Sequence, residues 1–218
     1  RPIAMNKIFE TPLYPYRHHA DQDAIPSAHH PVVIIGAGPV GLCAAIDLTQ
    51  KGIDVLVIDE NDKVSFGSRA ICFAKRTLEI CDRLGIGDKL IAKGVQWNLG
   101  KVFFDDRQVY EFNLLSENAH RRPAFINLQQ YYLEVYLVER IRELQKTGAK
   151  IDIRGGTYLN KIDQTDETVK LALNTPDGLY EITADWVIAC DGANSPTRTM
   201  LCLDFVGRVF EDNFLIAD

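Results

Sequence analysis

Cysteine is scarce in this 218-residue chain and irregularly placed: five residues, at positions 43, 72, 81, 190 and 202, with no C-x-x-C spacing. An odd, scattered set argues against a disulfide framework or a thiolate zinc site, and for reduced thiols in a cytoplasmic compartment. Positive charge is also short. With 24 Lys and Arg against 30 Asp and Glu the net charge is −6, leaving no phosphate-neutralising surplus and excluding nucleic acid as a partner of the whole chain. No window approaches the roughly 20 apolar residues that cross a bilayer, no signal-peptide pattern opens the chain, and there is no internal repeat or low-complexity tract. The first residue is Arg1, not methionine; Met5 is a candidate native start, with the preceding residues left by processing or cloning.

What is present is 46% apolar and 25% charged residues. That is ordinary globular composition, enough for one sizeable core and part of a second. Residues 1–30, rich in proline, histidine and aspartate, carry no apolar periodicity and read as an extended arm over the surface or partly disordered. The pairs His18-His19 and His29-His30 lack nearby carboxylate or cysteine ligands in sequence, so no metal site is expected.

From Pro31 the character changes. Val32, Val33, Ile34 and Ile35 form an all-apolar run, as in a strand buried on both faces of a parallel sheet. A glycine-rich turn follows, then a helical pattern over 40–51 stopped by Gly52, and a second buried strand over 55–58. Helices are expected over 75–84 and 130–144, the latter from a stripe of Leu133, Leu137, Ile141 and Leu144. A hairpin is expected between 102–104 and 109–112. Strands over 158–162, 168–173 and 179–182 read as a meander, with another buried strand over 186–189 running into Cys190-Asp191-Gly192.

The strongest chemical signal is Gly36-Ala37-Gly38-Pro39-Val40-Gly41, a G-x-G-x-x-G between a buried strand and a helix. Gly36 permits the tight turn, Gly38 leaves room for a pyrophosphate, and Gly41 lets the helix approach the sheet. The helix N-terminus then presents backbone N–H groups and the positive end of its dipole to phosphate. Asp59 ends the second strand, where a carboxylate accepts hydrogen bonds from ribose hydroxyls and repels a 2′-phosphate. The resident nucleotide is therefore FAD or NAD, not NADP. The plainer alternative for Asp59 is a surface acid at a strand end. Glu60, beside it, is included with the nucleotide site although it is expected to face solvent.

The glycine motif does not distinguish FAD from NAD. The segment 186–198, a strand running into Asp191-Gly192 and then a polar turn and Arg198, resembles the Asp-Gly motif of the aromatic-ring hydroxylases. These are the single-component FAD-dependent monooxygenases of which para-hydroxybenzoate hydroxylase is the type. Gly67-Ser68-Arg69-Ala70 ahead of a helix, Gln130 opening another, and the run 201–218 agree, closest to the phenol and hydroxyphenylpropionate hydroxylase branch. The resemblance implies an α/β, Rossmann-like FAD-binding fold with a parallel sheet, a three-stranded meander and, in an excursion over 96–125, the beginning of a substrate-domain sheet. It implies that Gly36, Ala37, Gly38, Pro39, Gly41 and Asp59 hold the adenosine and pyrophosphate of FAD, that Arg69 offsets phosphate charge, and that Gln130 bonds the ribityl-phosphate region. Asp191 and Gly192 would lie near FAD and the incoming nicotinamide, with Arg198 supporting that turn by an ion pair to Asp191 or contacting ligand directly.

The implied reaction uses NADH or NADPH to reduce FAD, then O2 to form a flavin hydroperoxide that hydroxylates a small phenolic substrate. No catalytic residue of this chain is identified, and a homo-oligomer is left open. The family's second Gly-Asp motif and most of its substrate domain are expected beyond residue 218, so the chain reads as an N-terminal, inactive fragment. Rival readings are a reductase, halogenase or epoxidase on the same fold, or a truncated module that binds nucleotide without turnover. Ser195 lacks a Gly-x-Ser-x-Gly context and a histidine partner, which argues against a hydrolase triad.

Overall fold

The apolar runs of the first two strands pair side by side, because each buries both faces. In the computed structural model, which describes residues 13–65, 69–114, 120–208, 210–213 and 215, β1 (Ala28–Ile35) lies parallel to β2 (Val55–Ile58). Alternation then sorts their side chains onto opposite faces. Val32, Ile34, Val55 and Val57 enter one hydrophobic cluster, and Val33, Ile35, Leu56 and Ile58 enter another.

The first cluster is closed by helices: α1 (Pro39–Thr49), α2 (Lys75–Leu84), α3 (Gly87–Lys93) and α4 (Gln130–Lys146). Leu42, Ala45 and Ile46 of α1 and Leu133, Leu137 and Ile141 of α4 are buried there, the stripes that their sequence spacing predicts. The second cluster is closed by β9 (Tyr158–Gln164), β10 (Val169–Thr175) and β11 (Gly178–Ala189), through Leu159, Leu171, Leu173 and Ile182. With β8 (Ile151–Arg154) on the other side, the main sheet runs β8-β2-β1-β11-β10-β9. Its β8, β2, β1 and β11 are parallel neighbours, and the meander is antiparallel.

Several sequence expectations need correction. β1 starts at Ala28, inside the stretch read as an irregular arm. Its first half pairs only with β11, since β2 joins at Val32, so Pro31 sits where no second neighbour needs its missing N–H. The strands expected over 179–182 and 186–189 are one, β11, and its end is not buried on both faces: Trp186 is 73% exposed. β10 ends its pairing at Ala184, leaving that edge of β11 uncovered among the described residues. β8 and α3 were not anticipated, being short and without a clear apolar period. Nor was a small sheet of β3 (Cys72–Ala74), β7 (Phe125–Asn127) and β4 (Val95–Trp97).

The expected hairpin is present as β5 (Leu99–Phe104) and β6 (Arg107–Asn113), a separate two-stranded sheet turning at Asp105, whose φ is 50°. The arm is anchored from Leu13 onward, and both Leu13 and Tyr14 are buried. Residues 1–12 lie outside the described set. Each histidine of the two pairs faces an aspartate: His18 to Asp23 and Asp177, His19 to Asp152, His29 to Asp185 and His30 to Asp21. Asp21 and Asp23 belong to the arm itself, whereas Asp152, Asp177 and Asp185 arrive from elsewhere in the fold, and no group of three ligand side chains suited to a metal gathers among the described residues.

Candidate functional site

The glycine motif sits where β1 ends and α1 begins. Gly36 has φ +106°, donates its N–H to the Ile58 carbonyl at 2.8 Å, and lies so close to the end of β11 that a side chain would meet the Cys190 carbonyl at 2.5 Å. A side chain at Gly41 would collide with the Gly36 carbonyl. Gly38 differs: a Cβ there would meet nothing within 4 Å. It is the N-cap of α1, with Pro39 in the first turn, so the start of the helix faces open space.

That space is a groove of about 310 Å³ lined by Ala37, Gly38, Asp59, Asn61, Arg69 and Glu134, among others. Asp59 reaches it from the end of β2. One carboxylate oxygen accepts from the Ala37 N–H at 2.6 Å, and the other from the Asn61 backbone N–H at 2.8 Å and side-chain amide at 3.1 Å. Most of its accepting capacity is thus engaged in bracing the turn, with the remainder directed to the groove. Glu60 is exposed and does not line the groove. Gly67 and Ser68 of the quoted arginine segment lie outside the described residues, whereas Arg69 is exposed at the groove wall.

Gln130 does not reach the groove directly. Its side-chain amide donates to Glu134 at 2.7 Å. Glu134, 1% exposed, also accepts from the Ser65 N–H at 2.7 Å and the Ser65 hydroxyl at 2.9 Å. One buried carboxylate on α4 therefore ties down Ser65 at the groove wall. Sequence reading missed Glu134 because its spacing makes it one more helical residue, and its partners are 69 and four positions away.

Asp191 and Gly192 follow β11, whose end meets the glycine turn through Cys190 and the Asp191 backbone, joined by the Cys190 N–H to the Ile35 carbonyl at 2.7 Å. The Asp191 carboxylate points at the start of α5 (Pro196–Met200), accepting from the Ser195 hydroxyl at 2.6 Å and the Thr197 N–H at 2.9 Å. Burial opposes its charge, but these bonds outweigh burial and hold the carboxyl below its ordinary range. Arg198 makes no ion pair with Asp191. It donates to the Ala193 carbonyl at 3.0 Å and lies over the Phe205 ring at 4.7 Å. Ser195 accepts from the Arg198 N–H as the cap of α5, a structural post with no basic partner.

The thiols are packing groups where they are enclosed. Burial pushes Cys43 up to about 12 and Cys81 up to about 11, and raises Cys190 beside Asp191. No helix among the described residues is long and apolar enough to cross a membrane.

Residues 29–213 match the family described as FAD binding domain. The chain is 31% identical over 206 residues to the 3-(3-hydroxy-phenyl)propionate/3-hydroxycinnamic acid hydroxylase of Escherichia coli strain K12, covering 90% of this chain and 35% of that protein. It is 27% identical over 190 residues to para-nitrophenol 4-monooxygenase of Pseudomonas sp. strain WBC-3, covering 86% and 46%. The solved structure of p-nitrophenol 4-monooxygenase from Pseudomonas putida DLL-E4 aligns with a TM-score of 0.77 at 28% identity, over 84% of this chain and 46% of that one. The flavin-dependent monooxygenase PieE, solved with FAD and substrate, aligns at 0.72 and 25% identity, over 83% and 33%. This chain thus spans between 33% and 46% of the length of these relatives.

Proposed function

This chain belongs to the FAD binding domain family, whose members among its relatives are FAD-dependent aromatic hydroxylases, and from that premise we propose that it is the nucleotide-holding part of an aromatic monooxygenase. The observation that carries the reading is Gly38. Its missing side chain opens onto a groove shared by a helix N-terminus, a carboxylate and an arginine.

These groups fit the adenosine and pyrophosphate of FAD. Gly38, Ala37 and the first turn of α1 would take the phosphates, Arg69 would offset their charge, and Asp59 would accept from a ribose hydroxyl. Gln130 would act near the flavin side through the Glu134 cluster, and Asp191-Gly192 would border the cofactor across the glycine turn. FAD, when bound, would supply the redox chemistry, and the whole enzyme would hydroxylate a small phenolic ring with NADH or NADPH as electron donor and O2 as oxidant. The chain's own work is to bind and orient. It holds negative charge at the positive end of α1 and keeps the turn rigid by the Asp59 brace.

The β5–β6 hairpin, with Val102, Phe103 and Phe104 exposed, is assigned to the substrate side of the whole enzyme. Free cysteines suit a reducing cytoplasm. The test is the visible spectrum of the purified protein after incubation with FAD, together with Gly38→Val. Flavin bands retained by the parent and lost in the variant support the reading. A parent that takes up no FAD, or a variant with unchanged flavin content, overturns it.

A further inference from the structure

We propose that residues 13–23, which lie ahead of the matched family region 29–213, form a strap that completes the adenosine end of the nucleotide site, with Tyr14 as one of its walls. Tyr14 lines the same groove as Gly38, Asp59 and Asn61. It comes from a segment whose sequence reads as an irregular arm, yet it is 7% exposed.

The strap is built onto the two loops that form this end of the groove. After β2, the N–H groups of Leu13 and Tyr14 both donate to the Asp62 carbonyl, at 2.8 and 3.0 Å, and the Tyr14 hydroxyl donates to the Lys63 carbonyl at 3.0 Å. After β8, the Tyr14 carbonyl lies so close to Gly155 that a side chain there would strike it, and a Cβ at Gly156 would meet the Cβ of Tyr16 at 3.1 Å. From α4, Arg142 donates to the Leu13 carbonyl at 2.5 Å.

Farther along, the strap is clasped at two more places. Asp177, in the turn between β10 and β11, accepts from the Tyr16 hydroxyl at 2.7 Å and faces His18 at 3.0 Å. Asp21 meets the buried Arg154 guanidinium at 2.8 Å and His30 at 2.7 Å. Asp59 itself is tied to the same region, since its N–H donates to the Arg154 carbonyl and its carbonyl accepts from the Thr157 N–H. The strap, the acid-bearing loop and the Gly155-Gly156 turn are therefore bonded into one unit. A ligand that orders one of them is expected to order the others.

This inference rests on the nucleotide reading of the groove, and the experiment separates the two. FAD and ADP, the latter carrying only the adenosine and pyrophosphate end, are titrated against the protein and against Tyr14→Ala, Tyr14→Phe, Asp177→Ala and Gly38→Val, with thermal unfolding recorded for each. Tyr14→Ala is expected to weaken FAD and ADP equally, by about tenfold for the lost aromatic wall, and Tyr14→Phe by less than about threefold. Asp177→Ala changes an exposed turn, so it keeps the fold while loosening the clasp. It should weaken both ligands severalfold and speed tryptic cleavage at the exposed Arg17. In the parent, saturating ADP should slow that cleavage.

A Tyr14→Ala variant with lowered melting temperature but unchanged affinities, or cleavage at Arg17 indifferent to ADP, overturns the strap while a loss in Gly38→Val leaves the nucleotide site standing. If neither FAD nor ADP binds the parent, both inferences fall.

Discussion

The Asp59 carboxylate accepts the Ala37 backbone N–H at 2.6 Å, so the acid that follows β2 is a structural member of the glycine turn as well as the nucleotide ligand proposed above. Asp59→Ala should then do two things at once. FAD binding should weaken by about 1.5–3 kcal/mol through lost charge-assisted bonds, and the fold should lose on the order of 1 kcal/mol as Ala37 and Asn61 lose their acceptor. Asp59→Asn keeps one acceptor and should recover much of the stability but little of the affinity. Equilibrium unfolding and FAD titration on both variants would separate the roles; equal recovery of both quantities would contradict this division.

Two of the motif glycines should respond differently to the same change. Gly38→Ala or Gly38→Val meets open space within the protein and should leave the melting temperature nearly unchanged while blocking phosphate. Gly41→Val meets the Gly36 carbonyl and should destabilise by several kcal/mol, about the scale of core overpacking or more. Calorimetry of the two variants without nucleotide is sufficient, and equal losses would show that Gly38 is also a packing position.

Glu134 is buried and accepts from Ser65 and Gln130. Glu134→Ala strands those donors and should cost on the order of 3 kcal/mol. It should also loosen the Ser65 side of the groove wall that Arg69 shares, raising the FAD dissociation constant through a residue argued to position others. Arg69→Ala in the Glu134→Ala background should then have a smaller effect on FAD than in the parent. Full additivity would mean that Glu134 serves stability alone.

Two ionisable groups should bend the pH profile in opposite directions. Asp191 titrates below its ordinary value of 3.8, so its contribution is present above that pH and is lost as pH falls through the lowered folded value. Asp191→Asn should flatten the acid limb of an unfolding profile. His18 is raised from 6.5 by its bonds to Asp23 and Asp177, so its contribution is present below 6.5 and is lost as pH rises through the raised folded value. An NMR titration of the His18 imidazole in the parent and in Asp177→Asn should give a higher midpoint in the parent; coincident midpoints would refute the clasp.

The cysteines should sort by enclosure. Cys72 and Cys202 are exposed and should react promptly with a thiol reagent at neutral pH. Cys43 and Cys81, pushed up to about 12 and about 11 by burial, should react only as the protein unfolds. Prompt modification of Cys43 in folded protein would argue against the close packing of α1 on the sheet.

The sequence by itself determined the unit β1–turn–α1–β2, the Asp59 position, the faces of α1 and α4, the hairpin turn and the meander. Each is a local matter: apolar period, glycine at a positive φ, and acid at a strand end act over a few residues. Only the tertiary structure decided where the polar side chains aim. Asp59 turns to Ala37, Glu134 gathers Ser65 and Gln130, Asp191 prefers the start of α5 to Arg198, and His18, His19 and His29 meet distant aspartates. It also decided that β8 lies beside β2 and that the 179–189 stretch is one strand. A buried or bridging polar group takes whichever partner the packed chain brings within hydrogen-bond reach. That partner's sequence separation, here as great as 161 residues between Tyr16 and Asp177, leaves no local pattern to read.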